Sequence, residues 1–129
     1  LTIPSTARKI ISVGAYNGYN NSYADFSGRG FDRTGGIVKP DIVAPGVDIT
    51  TAAAGGGTIT ASGTSFATPF VSGSAALLME WGIVRGNDMY LYGEKIKAYM
   101  IRGAKQLPGE VSPSEKTGWG ALCLADSFP

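Results

Sequence analysis

The sequence predicts an α/β fold, and three observations lead to this prediction. Short β-branched or apolar runs at residues 9–16 and 42–44 are followed or bounded by glycine and proline, as is typical of strands. Two later segments, residues 65–81 and 93–102, place apolar side chains at helical spacing. The 129 residues contain no internal repeat and no linker, so the strands and helices are expected to form one domain.

The two predicted strands differ in their surroundings. The first, "KIISVGAY" at residues 9–16, is β-branched and leads into residues 17–30, which have turn composition and several aromatic side chains. The second, residues 42–44, is a continuous apolar run that ends in a Pro-Gly turn, and a run this short suits a strand covered on both faces. Residues 52–63 are rich in alanine and glycine and are predicted to form a flexible loop.

Three helical segments are predicted after that loop. The first, residues 65–81, is apolar almost all round and is expected to be a buried helix. Its apolar positions at helical spacing are Phe66, Phe70, Gly73, Leu77 and Trp81. The second, residues 93–102, turns Ile96, Tyr99 and Met100 inward, and Gly103 is expected to end it. Residues 117–128 form a glycine-rich turn that leads into a short terminal helix.

Composition excludes several classes of partner. Hydrophobic residues make up 43% and charged residues 16%, with a net charge of +1, which gives no electrostatic argument for binding nucleic acid or an anionic membrane. The basic residues are scattered and are interpreted as solvated: Arg8, Lys9, Arg29, Arg33, Lys95, Lys97, Arg102 and Lys105. No run of about 18 apolar residues occurs, so no transmembrane helix is predicted.

Neither a metal site nor a cofactor is predicted. The single cysteine, Cys123, allows no internal disulfide or multi-cysteine metal site and is interpreted as a small buried apolar residue. No local cluster of carboxylates resembles a calcium site. The 19 glycines, about twice the usual share, indicate tight turns and close backbone approach instead.

The segment Gly63-Thr64-Ser65 stands where the first long helix begins. Either hydroxyl there could be an N-cap, or Ser65 could be a nucleophile whose own backbone N–H helps to stabilise an oxyanion. Pro69 lies four residues further on, where its ring crowds the Ser65 carbonyl, and a plain cap does not need this arrangement. Gly63 permits close backbone approach immediately before the serine.

Four segments in this order resemble the subtilisin-like serine proteases, the subtilases. "SGTSFATPFVSG" (62–73) resembles their catalytic-serine signature, and "KPDIVAPGVDI" (39–49) resembles the strand and turn before it. "IISVGAYN" with "ADFSGRG", and "TGWGALCLADSF" near the end, resemble further parts of the same domain. "GEKIKAYMIRGAKQ" and the phenylalanine at position 70 are most similar to clostridial subtilases of the spore-germination (Csp-like) type.

The resemblance implies roles for individual residues. Ser65 matches the nucleophile, with its backbone N–H as one oxyanion donor and with Gly63 and Thr64 supporting the site. Phe66 follows the nucleophile and would lie next to the leaving-group side of a peptide substrate. Phe70 stands where many subtilases have a non-catalytic histidine, a departure expected to affect packing rather than chemistry.

The same resemblance indicates what these residues lack. In subtilases the triad aspartate and histidine and the oxyanion-hole asparagine precede this segment, and the chain contains no histidine at all. The aspartates Asp25, Asp41 and Asp48 are interpreted as turn or cap residues, and neither Lys39 nor Lys95 has a spacing that argues for a serine–lysine pair. A serine without a base is a poor nucleophile.

The resulting expectation is that residues 1–129 form the C-terminal part of a subtilase catalytic domain, a three-layer fold with a mainly parallel sheet. Alone it is expected to be inactive. Its partners would be the N-terminal part of the same domain, a peptide substrate and, through an exposed sheet edge, a second copy. A pseudoprotease that binds peptides and a generic α/β binding domain with a capped helix remain alternatives. Localisation stays open; the resemblance favours a secreted, cell-envelope or spore-associated bacterial protein.

Overall fold

A computed structural model describes residues 1–31 and 35–129. Arg33, one of the basic residues interpreted as solvated, lies outside them. The strands are β1 (Val13–Asn17), β2 (Ser22–Tyr23), β3 (Ile42–Pro45), β4 (Ile49–Ala52) and β5 (Thr58–Ala61). The helices are α1 (Thr64–Met79), which continues as a π-helical turn (Glu80–Val84), α2 (Gly93–Gly103) and α3 (Leu124–Ser127).

The central sheet has the strand order β2-β1-β3. Strand β1 pairs in parallel with β3, from Val13 opposite Ile42 onward, and antiparallel with the short β2, which lies in a segment predicted as turns. Ala121 adds a parallel bridge to Val43 on the far side of β3. Strand β3 is buried up to its last residue, as its continuous apolar run predicts. The α/β class and the mainly parallel sheet are therefore confirmed.

A β-hairpin replaces the loop predicted for residues 52–63. Strands β4 and β5 pair antiparallel, with Ile49 opposite Ala61 and Ala52 opposite Thr58. Three successive glycines, residues 55–57, all have positive φ and form the tip between the two strands. The prediction was wrong because the alanine- and glycine-rich composition of the segment outweighed the β-branched residues 58–60, which form most of β5.

Helix α1 is buried on one side rather than all round. Its buried residues are Ala67, Val71, Ser74 and Leu78, which face β1 and β3. Phe70, Leu77 and Met79 are 45%, 51% and 42% exposed. Within the described residues the sheet packs against only one face of the helix, so the expectation of a fully buried helix is not met.

Helix α2 follows its prediction closely. Ile96 and Met100 are buried and Tyr99 is half-buried, and the helix ends at Gly103. A Cβ at Gly103 would lie 2.5 Å from the backbone nitrogen of Ser127, so glycine is required there because α3 packs directly on it. The terminal helix α3 is present as predicted, but Cys123 before it is half-buried rather than buried, with its Sγ 3.6 Å from Asp126 Oδ2.

Asp41 is neither a turn nor a cap residue. Its carboxylate is buried between two ammonium groups, Lys39 Nζ on Oδ2 and Lys97 Nζ on Oδ1, each at 2.7 Å. The backbone N–H of Ser12 also donates to Oδ2 at 2.7 Å. Lys97 therefore forms a buried ion pair, and the prediction that it is solvated was wrong. Asp25 and Asp48 lie in turns, as expected. This cluster joins the start of the chain, β3 and α2.

Among residues 1–31 and 35–129, none of the helices is long and apolar enough to cross a membrane. The same residues contain no group of three or more histidine, cysteine, aspartate or glutamate side chains placed to hold a metal ion.

Candidate active site

The turn before α1 is fixed to the end of β3 by backbone contacts. Gly63 is the N-cap residue of α1, with φ 154° and ψ 160°. Its N–H donates to the Gly46 carbonyl at 2.8 Å, and its own carbonyl accepts from the N–H groups of Phe66 at 3.1 Å and Ala67 at 3.3 Å. Gly63 is thus hydrogen-bonded through its N–H to the residue after β3 and through its carbonyl to the first turn of α1.

Ser65 is the second residue of α1, and its side chain is exposed. Across residues 1–31 and 35–129, Ser65 Oγ makes no hydrogen bond, and no acceptor faces the backbone N–H of Thr64 or Ser65. No side chain caps the helix, so the interpretation of Thr64 or Ser65 as an N-cap is wrong. A free hydroxyl beside free N–H donors at the positive end of a helix suits attack on a carbonyl and stabilisation of the resulting oxyanion.

Thr64 and Pro69 shape the first turns of α1. Thr64 is half-buried, and its carbonyl accepts a hydrogen bond from Thr68 Oγ1 at 2.9 Å. Pro69 lies inside the helix as predicted, so the Ser65 carbonyl lacks the N–H donor that a regular helix would supply. The first turn contains no acidic side chain.

A cavity of about 300 Å³ lies beside this turn, between β4 and α1. Its lining residues are Ile49, Thr50, Thr51, Phe66, Pro69 and Phe70. Phe66, the residue after Ser65, is half-buried and lines this cavity. Phe70 is 45% exposed and lines the same cavity.

No described side chain is placed to act as a base for Ser65. Lys39 is enclosed and donates to Asp41 and to the Ile10 carbonyl, and burial lowers its pKa. Lys95 pairs with Asp88, and the hydrogen bond to that carboxylate raises its pKa, the opposite of what a base needs. The backbone N–H of Asp48 donates to Ser62 Oγ at 2.8 Å, so Asp48 braces the loop before the helix.

Gly46 is the site residue that the sequence did not single out. The Pro45-Gly46 pair reads only as a turn, and nothing local shows that Gly46 faces Gly63 across 17 positions of sequence. Its contact with the start of α1 arises from the tertiary arrangement of β3 and the helix. The motif around the serine, in contrast, needs no tertiary contact to be found, because Gly63, Thr64, Ser65 and Phe66 are consecutive in the sequence.

An exposed serine at the start of a helix, with free amides beside it and a parallel sheet behind, is an arrangement that suits a nucleophilic serine. The profile of the Subtilase family (peptidase S8) matches residues 1–120. The chain belongs to the subtilase family.

Known relatives extend this comparison. The CspB protease of Clostridium perfringens superposes with a TM-score of 0.93 at 50% identity, over 99% of this chain and 27% of that one. The prenylagaramide maturation protease PagA gives a TM-score of 0.80 at 35% identity, over 99% and 44%. The membrane-bound transcription factor site-1 protease of Mus musculus is 33% identical over 133 residues, 99% of this chain. This chain spans about a quarter of CspB and 12% of the site-1 protease.

Proposed function

We propose that these residues are the nucleophile-bearing, C-terminal part of a subtilase catalytic domain, and that the whole protein is a serine endopeptidase. The observation that carries the proposal is the exposed, unbonded Ser65 Oγ beside free N–H groups at the start of α1. Membership of the subtilase family supports it, since the serine stands in the segment that resembles the family's catalytic signature.

The chemistry assigned to Ser65 is acyl transfer. A general base takes the Oγ proton as Oγ attacks the peptide carbonyl, and the Ser65 N–H stabilises the oxyanion that forms. The C–N bond then breaks, the amine leaves with the proton that the base returns, and an acyl-enzyme ester remains. Water, deprotonated by the same base, hydrolyses the ester and restores Ser65. Thr64 and Gly63 hold the N–H donor in place, and Phe66 borders the departing amine.

The base must come from outside these 129 residues, because they contain no histidine. We assign it to the N-terminal part of the same catalytic domain, where the family places its aspartate and histidine. The exposed apolar side chains of α1, Phe70 and Leu77, give that part a surface to cover. The 129-residue chain by itself is therefore expected to be inactive, since serine without a base is a poor nucleophile.

The test is active-site labelling with a fluorophosphonate. The full-length protein is expected to become labelled on Ser65, and the Ser65→Ala variant is expected to stay unlabelled. The 129-residue chain is expected to react no faster than a free serine hydroxyl. Labelling of the isolated chain at the rate of an active serine hydrolase would contradict the assignment of the base.

A second candidate is a pseudoprotease, which keeps the serine motif and binds peptides without cleaving them. The two candidates differ in the full-length protein. A pseudoprotease binds peptide but neither reacts with the fluorophosphonate nor releases a cleaved product, whereas the endopeptidase does both.

A further inference from the structure

We infer that Gly46 is a positioning residue for Ser65: because position 46 has no side chain, the end of β3 can hold the Gly63 backbone and thereby place the first turn of α1. This inference rests on the proposed role of Ser65. It names a residue that neither the serine signature nor the turn chemistry of Pro45-Gly46 assigns to the site.

Gly46 is buried and is itself anchored. Its N–H donates to the Tyr16 carbonyl at the end of β1, at 3.0 Å, so it continues the parallel pairing of β1 with β3. Its carbonyl accepts from the Gly63 N–H at 2.8 Å. The end of the central sheet is thus hydrogen-bonded to the serine turn at Gly46.

The space beside Gly46 is too small for a side chain. A Cβ built there would lie 2.7 Å from Ala15 Cβ, 2.9 Å from the Gly63 carbonyl oxygen and 3.3 Å from Ala67 Cβ. The Gly46 backbone does not have the positive φ that restricts a position to glycine, so the obstruction is one of space alone. Two of the three obstructing groups, Gly63 and Ala67, belong to the start of α1.

Besides Ala15 in β1, a methyl group at position 46 would displace the Gly63 carbonyl, which starts the helix. The Gly63 carbonyl accepts hydrogen bonds from the Phe66 and Ala67 N–H groups. Ser65 lies in the chain between Gly63, the N-cap residue of α1, and these two donors. Because the carbonyl is backbone, it can withdraw only if the turn moves with it. A displacement approaching 1 Å at a reacting group lowers rates by roughly 100-fold, so Gly46→Ala is expected to slow acylation by about 10- to 100-fold.

Two other glycines serve as matched controls. At Gly14 the three nearest groups to a Cβ would all be side chains, Ser27 Oγ and Val43 Cγ1 at 2.9 Å and Pro40 Cγ at 3.1 Å, and none belongs to the serine turn, so Gly14→Ala strains the same sheet away from that turn. At Gly18 it would meet Pro45 Cβ at an ordinary 3.5 Å, so Gly18→Ala is expected to be silent. The comparison separates a general loss of stability from a displaced nucleophile.

The experiment uses the full-length protein and two readouts. Amide hydrogen exchange is followed at Gly63, Phe66 and Ala67, relative to Val43 in β3. The rate of fluorophosphonate labelling at Ser65 is measured per folded molecule. In Gly46→Ala, the three amides of the turn are expected to lose protection relative to Val43, and labelling is expected to slow. In Gly14→Ala, exchange rises at all four amides together and labelling per folded molecule stays as in the wild type.

The outcomes are distinguishable. Unchanged relative protection at Gly63, Phe66 and Ala67 in Gly46→Ala would overturn the inference, whatever the chemistry. Lost protection with wild-type labelling would also overturn it, because the turn would then move without consequence for Ser65. A wild-type protein that is not labelled on Ser65 at all would contradict the proposed function, and with it the role of Gly46 in positioning a nucleophile.

Discussion

The buried cluster around Asp41 gives the sharpest prediction about stability. In Asp41→Asn, the side chain keeps its size but loses the charge that balances Lys39 and Lys97. The Lys39 side chain is 0% exposed and that of Lys97 only 15%, so neither ammonium group can recover full hydration in the folded protein. The new amide also directs N–H donors toward groups that are themselves donors.

Removing one partner of a buried ion pair costs about 3–5 kcal/mol, because an uncompensated charge is left inside. Against a total stability of roughly 5–15 kcal/mol for a folded domain, Asp41→Asn is expected to remove a large share or all of it. Lys39→Met is expected to cost less, since the pair of Asp41 with Lys97 stays balanced. The assay is urea unfolding followed by tryptophan fluorescence, which Trp81 and Trp119 provide.

Asp126→Asn is the matched control, because its partner Lys105 and Asp126 itself are largely exposed to solvent. Solvent-exposed ion pairs contribute little to folding stability, so Asp126→Asn is expected to unfold at a urea concentration close to the wild-type midpoint. The reasoning is refuted if Asp41→Asn unfolds within about 1 kcal/mol of the wild type, the level of a surface pair, or if Lys39→Met is the more damaging substitution.

Three further predictions concern pH, backbone strain and assembly. The hydrogen bond from Lys95 lowers the pKa of Asp88 from its usual 3.8, so the Lys95–Asp88 pair stabilises the fold above that pH and loses this effect as Asp88 becomes protonated. The difference in unfolding free energy between the wild type and Asp88→Asn is therefore expected to vanish when urea unfolding is measured at successively more acidic pH. Gly118→Ala places a Cβ against the Pro40 carbonyl at φ 57° and is expected to prevent stable folding, whereas Gly86→Ala, at φ 75° in open space, is expected to cost only about 1–2 kcal/mol in the same urea assay. The 129-residue chain is expected to dimerise or aggregate through its exposed apolar and sheet-edge surfaces, and light scattering that finds a monodisperse monomer at high concentration would count against this.

The sequence predicts those parts of the fold that depend on local periodicity. Helix α2 has its predicted limits to within one residue, and α1 begins and ends within two, because a 3.6-residue repeat is a property of neighbouring positions. The hairpin of β4 and β5 was missed, since its glycine-rich tip has loop composition. The one-sided burial of α1 depends on what packs against it, which no local pattern contains.

The residues around Ser65 and around Asp41 differ in the same way, because only the former are neighbours in the sequence. Gly63, Thr64 and Ser65 are adjacent in the sequence, so a short motif is enough to find them. The partners of Asp41 are not adjacent to it: Ser12 lies 29 residues before it and Lys97, on α2, lies 56 residues after it, so only the tertiary fold brings them together. From the local sequence alone, Asp41 was therefore predicted to be a turn or cap residue, although its carboxylate lies at the centre of the buried charge cluster.

The central claim is that Ser65 Oγ forms the acyl-enzyme of a serine endopeptidase. The most direct test is to incubate the full-length protein with an ester substrate that deacylates slowly, digest it at acidic pH and locate the acyl group by tandem mass spectrometry. One acyl group per molecule is expected, on Ser65, and none in Ser65→Ala. An acyl group on any other residue, or turnover of peptide substrate by Ser65→Ala at the wild-type rate, would contradict it.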